Sequence, residues 1–528
     1  MHSMKIGLSL VVIVFISCSQ APERDPNTLF RYNEYSGISS LDPAFARVQS
    51  NIWATHQLFN GLVEMDDELN VIPSIARSWT VSDSGRTYEF SLRQDVYFHK
   101  DPAFGKDSTR LVAAHDVVYS LYRLADSRIA APGAWVMGGV DTVYAVDSST
   151  LRIQLKKPFA PFLGLLTMKY CSVVPKEIVE RGDFSSHPIG TGPFYLKVWA
   201  DNEVMILRKN PMYFEIENGK RLPFLESVVI SFIPDKQSAY MEFLSRRQDL
   251  ISGLDASYKD DLLTTEGELQ DKHQEHFTLQ KSPYLNTEYL AFFIPDVSEI
   301  NQKKIRQAIN MGFDKGPMMK FLRNGVGEPA TGGIIPAGLP GYQREVGYSY
   351  DPKRASELLA EAGFPDGRGL PPIALYTTSN YLDLCEYIQG QLSALGIDLR
   401  VEVLPPSTLR EKKAAGGLSF FRASWIADYP DAENYLSLFY SQNAAPNGPN
   451  YTHFSDPVFD SIYVVSRSES NPSTRESLYR SLDSIVMFYA PVVPLYYDQV
   501  VRVFPNNLTG LEPNALNLLT LKRVVKTP

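Results

Sequence analysis

Cysteine and histidine are scarce in this chain, with three of the first and eight of the second among 528 residues. No CxxC pair, no HExxH and no Cys/His cluster occurs, so zinc chemistry of the usual spacings is excluded. A GxSxG nucleophile elbow is also missing. Basic residues do not outnumber acidic ones; the formal charge is −9, which argues against a nucleic-acid footprint, because phosphate binding needs clustered cations. The apolar run Ile6–Ile16 is too short to cross a bilayer as a helix. Gly325-Val-Gly-Glu-Pro-Ala330 imitates a dinucleotide fingerprint, but Pro329 and the Thr-Gly-Gly that follows deny it a helix, so it is read as a loop.

What remains is an ordinary globular composition, 44% hydrophobic and 21% charged. The length suggests about three domains of usual size. The N-terminus has the layout of a signal peptide: Lys5, the apolar run, then Ser17-Cys18. Its end resembles a bacterial lipobox, which implies cleavage before Cys18 and lipidation of that cysteine, with Ala21–Pro26 as a polar tether. Cys171 and Cys385 are expected as two buried free thiols.

Local signals punctuate the chain. Thr87–Arg93 alternates like a half-buried strand, and Val117, Leu121 and Leu124 repeat at helical spacing. The spacing predicts a helix over 303–324 with Ile305, Ala308, Ile309 and Phe313 on one face. Asp351-Pro352, with Gly363 closing the segment, has the cap, first-turn proline and terminal glycine of a helix. Strand 373–377, helix 384–395 and strand 397–403 then follow in α/β order. In Ile189–Tyr195, Gly190 and Gly192 are read as permitting a tight turn.

The most informative segment is Arg422-Ala-Ser-Trp-Ile-Ala-Asp428, a strand-like run carrying two charges. A buried carboxylate needs a partner, and a ligand ammonium would serve Asp428; the competing reading is a turn-capping aspartate before Tyr-Pro. Alternation places Arg422, Ser424, Ile426 and Asp428 on one face and Trp425 on the other. Arg422 and Asp428 would stand about 20 Å apart at Cα. A zwitterion of about three or four extended residues could answer both. Arg422 could instead form a structural ion pair.

These blocks, Ile72–Trp79 through Arg123, Ile189–Tyr213, Arg306–Asp314, Arg422–Asp431 and the closing Phe459–Tyr497, resemble in order the oligopeptide/dipeptide-binding family of extracytoplasmic solute-binding proteins, family 5, the receptors of ABC importers. The resemblance implies an α/β bilobal clamshell with an extra subdomain in the first lobe and two hinge crossings, placed near Ser282–Tyr284 and Tyr496–Val501. Implied boundaries are 1–17 signal peptide, 18–27 lipidated tether, 28–282 first lobe with the subdomain at about 60–185, 283–498 second lobe, and 499–528 returning to the first. It also implies that Asp428 holds a peptide amino group, that Arg422 meets its carboxylate, and that residues 424–426 (Ser424, Trp425, Ile426) and Asn60-Gly61-Leu62 pair with the peptide backbone. An aromatic near Pro132 is assigned to Trp135. No cofactor, metal or catalytic residue is expected; the expected partners are a peptide, ABC permease subunits and, through Cys18, a membrane, for a monomeric protein on the outer side of that membrane. Nickel chelates, haem or oligosaccharides are alternative solutes. A sensor or peptide chaperone, or a secreted hydrolase, are the competing classes.

Overall fold

A computed structural model describes residues 28–296 and 298–527; the leader and Cys18 lie outside the described residues. The first lobe is built on a four-stranded sheet in the order 29–33, 227–231, 204–209, 194–200, whose first pair is parallel and the rest antiparallel. Inserted in it is an antiparallel sheet in the order 76–82, 87–92, 150–155, 140–145, covered by helix Ala114–Ala125. The apolar face of that helix does what its spacing requires: Val117, Leu121 and Leu124 are buried in the subdomain core.

The second lobe holds a mixed sheet in which strand Phe420–Ile426 lies between Phe277–Phe292, antiparallel to it, and Ile373–Thr377, parallel to it. Alternate residues serve opposite faces. Tyr289, Ala291, Phe421 and Ala423 enter one core, while Leu290, Phe292 and Phe420 enter the other. Helix Pro352–Glu361 starts where its cap predicts, with Asp351 accepting from the Arg354 N–H at 2.9 Å. The expected helix over 303–324 is split in two. The first part ends at Met311, and Asp314 caps a second helical stretch, 315–322, by accepting from the Gly316 N–H at 2.9 Å; a side-chain cap competes with helix continuation there. Ile305, Ala308, Ile309 and Phe313 are nonetheless all buried.

Two long strands, Phe277–Phe292 and Val492–Pro505, run from one lobe into the other as a paired ladder, and their register breaks between Pro283 and Thr287. After the second strand the chain packs Leu508, Leu511, Leu519, Leu521 and Val524 into the first-lobe core. Gly190 and Gly192 have a different purpose from the turn expected of them. A Cβ at either would meet the backbone of Leu58, at 2.1 Å from its oxygen or 2.4 Å from its carbonyl carbon, so close chain approach excludes a side chain. Cys171 and Cys385 are buried and free. Among the described residues no helix is long and apolar enough to cross a membrane.

Candidate functional site

The end of strand Phe420–Ile426 points into a cavity of about 210 Å³ between the lobes. Its first-lobe wall comes from Arg47, Gln49, Trp53 and residues 167–170; Ile426, Ala427 and Asp428 form the opposite wall, with Tyr284 and residues 516–518 closing one side. Backbone bonds fasten these parts together. The Ala427 N–H donates to Leu285 O and the Leu285 N–H to Ala515 O, each at 2.8 Å. The Trp53 indole N–H donates to Asn517 O at 2.7 Å.

Asp428 has no ion-pair partner among the described residues, and its carboxylate opens onto the cavity. Buried Asn434 orients it: the Asn434 Oδ1 accepts from the Asp428 N–H at 3.1 Å and from the Trp425 indole at 2.8 Å, while its amide nitrogen lies 3.4 Å from the carboxylate. The surrounding protein raises the Asp428 pKa, and the Asn434 contact only partly opposes that. Asp428 is exposed toward the cavity, and a carboxylate without an ion-pair partner at a cleft wall favours a cationic group placed beside it. Tyr170 and Asp428 line the same cavity, and burial first, with the Asp428 charge second, pushes the Tyr170 hydroxyl up to about 12. Gly133 lies behind that ring, where a Cβ would fall 2.3 Å from Tyr170 Cγ.

Ile426 and Asp428 line the cavity together, as the alternation implied, with Ile426 46% exposed. Ser424 lies farther along the same face, paired in register with Glu288. Arg422 does not reach the cavity lining. It is ion-paired to Glu288, with its guanidinium 3.4 Å from the centroid of the Tyr381 ring. Asn286 bridges Glu288 at 3.3 Å and Asp498 at 3.2 Å, and Asp498 pairs with Arg323 at 2.9 Å. The charge of Arg422 is therefore met inside the protein, which removes the reason for reserving it for a ligand carboxylate.

Asn60-Gly61-Leu62 also sits differently from its expected place opposite the strand. All three are buried, and their carbonyls accept from the N–H groups of Val173, Ile75 and Ala76, at 3.0, 3.2 and 2.9 Å. Those oxygens belong to the first lobe's own framework and are not part of the cavity wall. Trp135 is 46% exposed and contacts the second lobe through Tyr429, ring centroids 6.5 Å apart, beside the cavity rather than in it. Tyr429 itself, one residue past Asp428, is buried in the subdomain core of the first lobe and donates to Glu433. Sequence reasoning missed Asn434, which, six residues beyond Asp428, was open to discovery as a short-range capping partner. Among the described residues no cluster of metal-ligating side chains occurs.

A family model described as bacterial extracellular solute-binding proteins, family 5 middle region, matches residues 70–447. The glutathione-binding protein GsiB of Salmonella typhi is 26% identical over 490 residues, 90% of each chain. Among solved structures, the periplasmic binding protein DppA of Helicobacter pylori in complex with the peptide STSA superposes with a TM-score of 0.78 at 26% identity, covering 95% of this chain and 98% of that one. HbpA2 of Haemophilus parasuis gives 0.81 at 23% identity over 95% and 100%, a likeness of fold.

Proposed function

The chain belongs to the bacterial extracellular solute-binding proteins of family 5, extracytoplasmic receptors of ABC importers rather than enzymes, and from that membership we propose that its solute is a short peptide. The peptide is captured between the lobes, closure buries it, and the loaded protein delivers it to a membrane permease while a lipid on Cys18 keeps the receptor at the membrane. The register break at 283–287 serves as the hinge. The observation that carries this reading is the Asp428 carboxylate, unpaired, held by Asn434 and facing an interlobe cavity, where a peptide's free ammonium completes it. Strand edge 424–426, with Ile426 open to the cavity, offers backbone contacts that tolerate varied side chains. Glutathione, named for the relatives, has the same free ammonium and fits the same rule.

Native mass spectrometry of freshly purified protein tests the reading. The expected result is a co-purifying, peptide-sized mass released on unfolding and identified by fragmentation. A nickel chelate, haem or an oligosaccharide in its place would refute the peptide assignment.

A further inference from the structure

Arg502, on the long strand Val492–Pro505, is fully buried, and among the described residues no carboxylate pairs with it. A guanidinium out of water is costly unless protein acceptors replace the solvent. Its three acceptors all come from one later segment. Nη1 donates to Glu512 O at 3.2 Å, and Nη2 donates to Asn517 Oδ1 at 3.1 Å and to Leu518 O at 2.8 Å. Acceptors spread from 512 to 518 suit the planar fork of arginine, which offers donors in several directions at once. Burial lowers the Arg502 pKa to about 10, with the Asp67 charge opposing, so the group stays charged at neutral pH.

The segment that Arg502 gathers touches both lobes. Leu511, Leu519 and Leu521 are buried in the first-lobe core, whereas Ala515 and Leu516 pack against the second-lobe core. Leu516, Asn517 and Leu518 belong to the cavity lining. Asn517 has a φ of +54°, a left-handed conformation that persists in a non-glycine residue only where its surroundings fix it. Two contacts do so: its side chain accepts from Arg502, and its carbonyl accepts from the Trp53 indole at 2.7 Å.

We propose that Arg502 is a positioning residue for solute capture. By gathering Glu512, Asn517 and Leu518 it folds 511–519 into a strap between the lobes, sets Leu516–Leu518 as a wall of the cleft, and presents the Asn517 carbonyl to Trp53. The role rests on the cavity being the solute site and holds for a solute of any class.

The chain has five tryptophans, few enough for each indole to be followed in protein labelled with 15N-tryptophan. The Trp53 signal, identified by its loss in Trp53→Phe, reports the bond to Asn517 O. Arg502→Gln should speed solvent exchange at that indole roughly tenfold or more, the scale of one charge-assisted hydrogen bond, and leave the other indoles unchanged. Arg502→Lys, which keeps the charge but not the fork, should fall between. Calorimetry with tri-alanine and glutathione should show the variant binding roughly tenfold more weakly whichever of the two wild type accepts. Adding Arg502→Gln to Trp53→Phe should cost little more, because both changes break one line of contact. A residue that merely stabilised the fold would disturb all the indoles and leave the affinity of the folded protein as it was. Asn517→Gly tolerates the left-handed backbone and removes one acceptor, so it keeps the test open should Arg502→Gln fail to fold. An unchanged Trp53 signal in folded Arg502→Gln refutes the role, and so does a changed signal with unchanged affinity. If wild type binds neither peptide, the peptide reading fails, and the indole signal alone decides whether Arg502 sets the wall.

Discussion

Replacing Asp428 by asparagine keeps the side chain's shape and its place beside Asn434 but deletes the charge. In the empty protein the change is mild, since the carboxylate there is exposed to the cavity and has no ion-pair partner among the described residues. In the closed, loaded state it strands a ligand ammonium against Tyr170, Ile426 and Trp53, in a cavity without another acid. Breaking a buried ion pair from one side costs about 3–5 kcal/mol, and the openness of the Asp428 carboxylate to the cavity argues for the lower end. At about 1.4 kcal/mol per tenfold, affinity should fall by roughly two orders of magnitude. N-acetylating the peptide removes the same interaction from the other side. The losses should therefore coincide rather than add: the acetylated peptide binds wild type about as poorly as the free peptide binds Asp428→Asn, and acetylation costs the variant little more. Isothermal calorimetry on this four-way cycle reads the coupling directly. Equal binding of free and acetylated peptides to wild type would refute the assignment of the ammonium to Asp428.

Other expectations follow from particular residues. Buried Asp483 accepts from the Ile334 N–H at 2.9 Å, and burial raises its pKa from 3.8 to about 7. The folded state then holds the proton more tightly than the unfolded one, so stability should fall as pH rises from about 4 to about 7 and level off above, while Asp483→Asn flattens that slope in denaturant titrations; a wild-type slope unchanged by the substitution would refute the role of Asp483. Small-angle scattering should show a smaller radius of gyration with saturating peptide than without, because ligand favours the lobe-closed form; identical profiles would count against closure. Cys18→Ser should move the protein from the detergent phase to the aqueous phase or leave its leader uncleaved, as read by phase partition and immunoblot; wild type already in the aqueous phase excludes the anchor.

Local grammar carried much of the fold. Strand 373–377 and the helix behind Asp351 were legible because cap, proline and alternation act within a few residues. The same logic misjudged 303–324, where nothing in the apolar period marks Asp314 as the side chain that interrupts the helix. Gly190 and Gly192 were read for turn chemistry, whereas their constraint comes from Leu58, more than a hundred residues earlier. The shared placement of Ile426 and Asp428 at the cavity was legible in the strand's alternation. The fate of Arg422 depends on Glu288, 134 residues away, and periodicity carries no information about such a pairing.

Asp428 and Tyr429 are adjacent, and they belong to different transactions: one faces the interlobe cavity, the next is already seated in the core of the other lobe. The second-lobe chain thus cannot dock without carrying the carboxylate up to the first-lobe wall of the cavity. On the peptide reading, a solute resting on one open lobe meets only part of that lining, so rejected peptides should arrive about as fast as accepted ones and differ in how soon they leave.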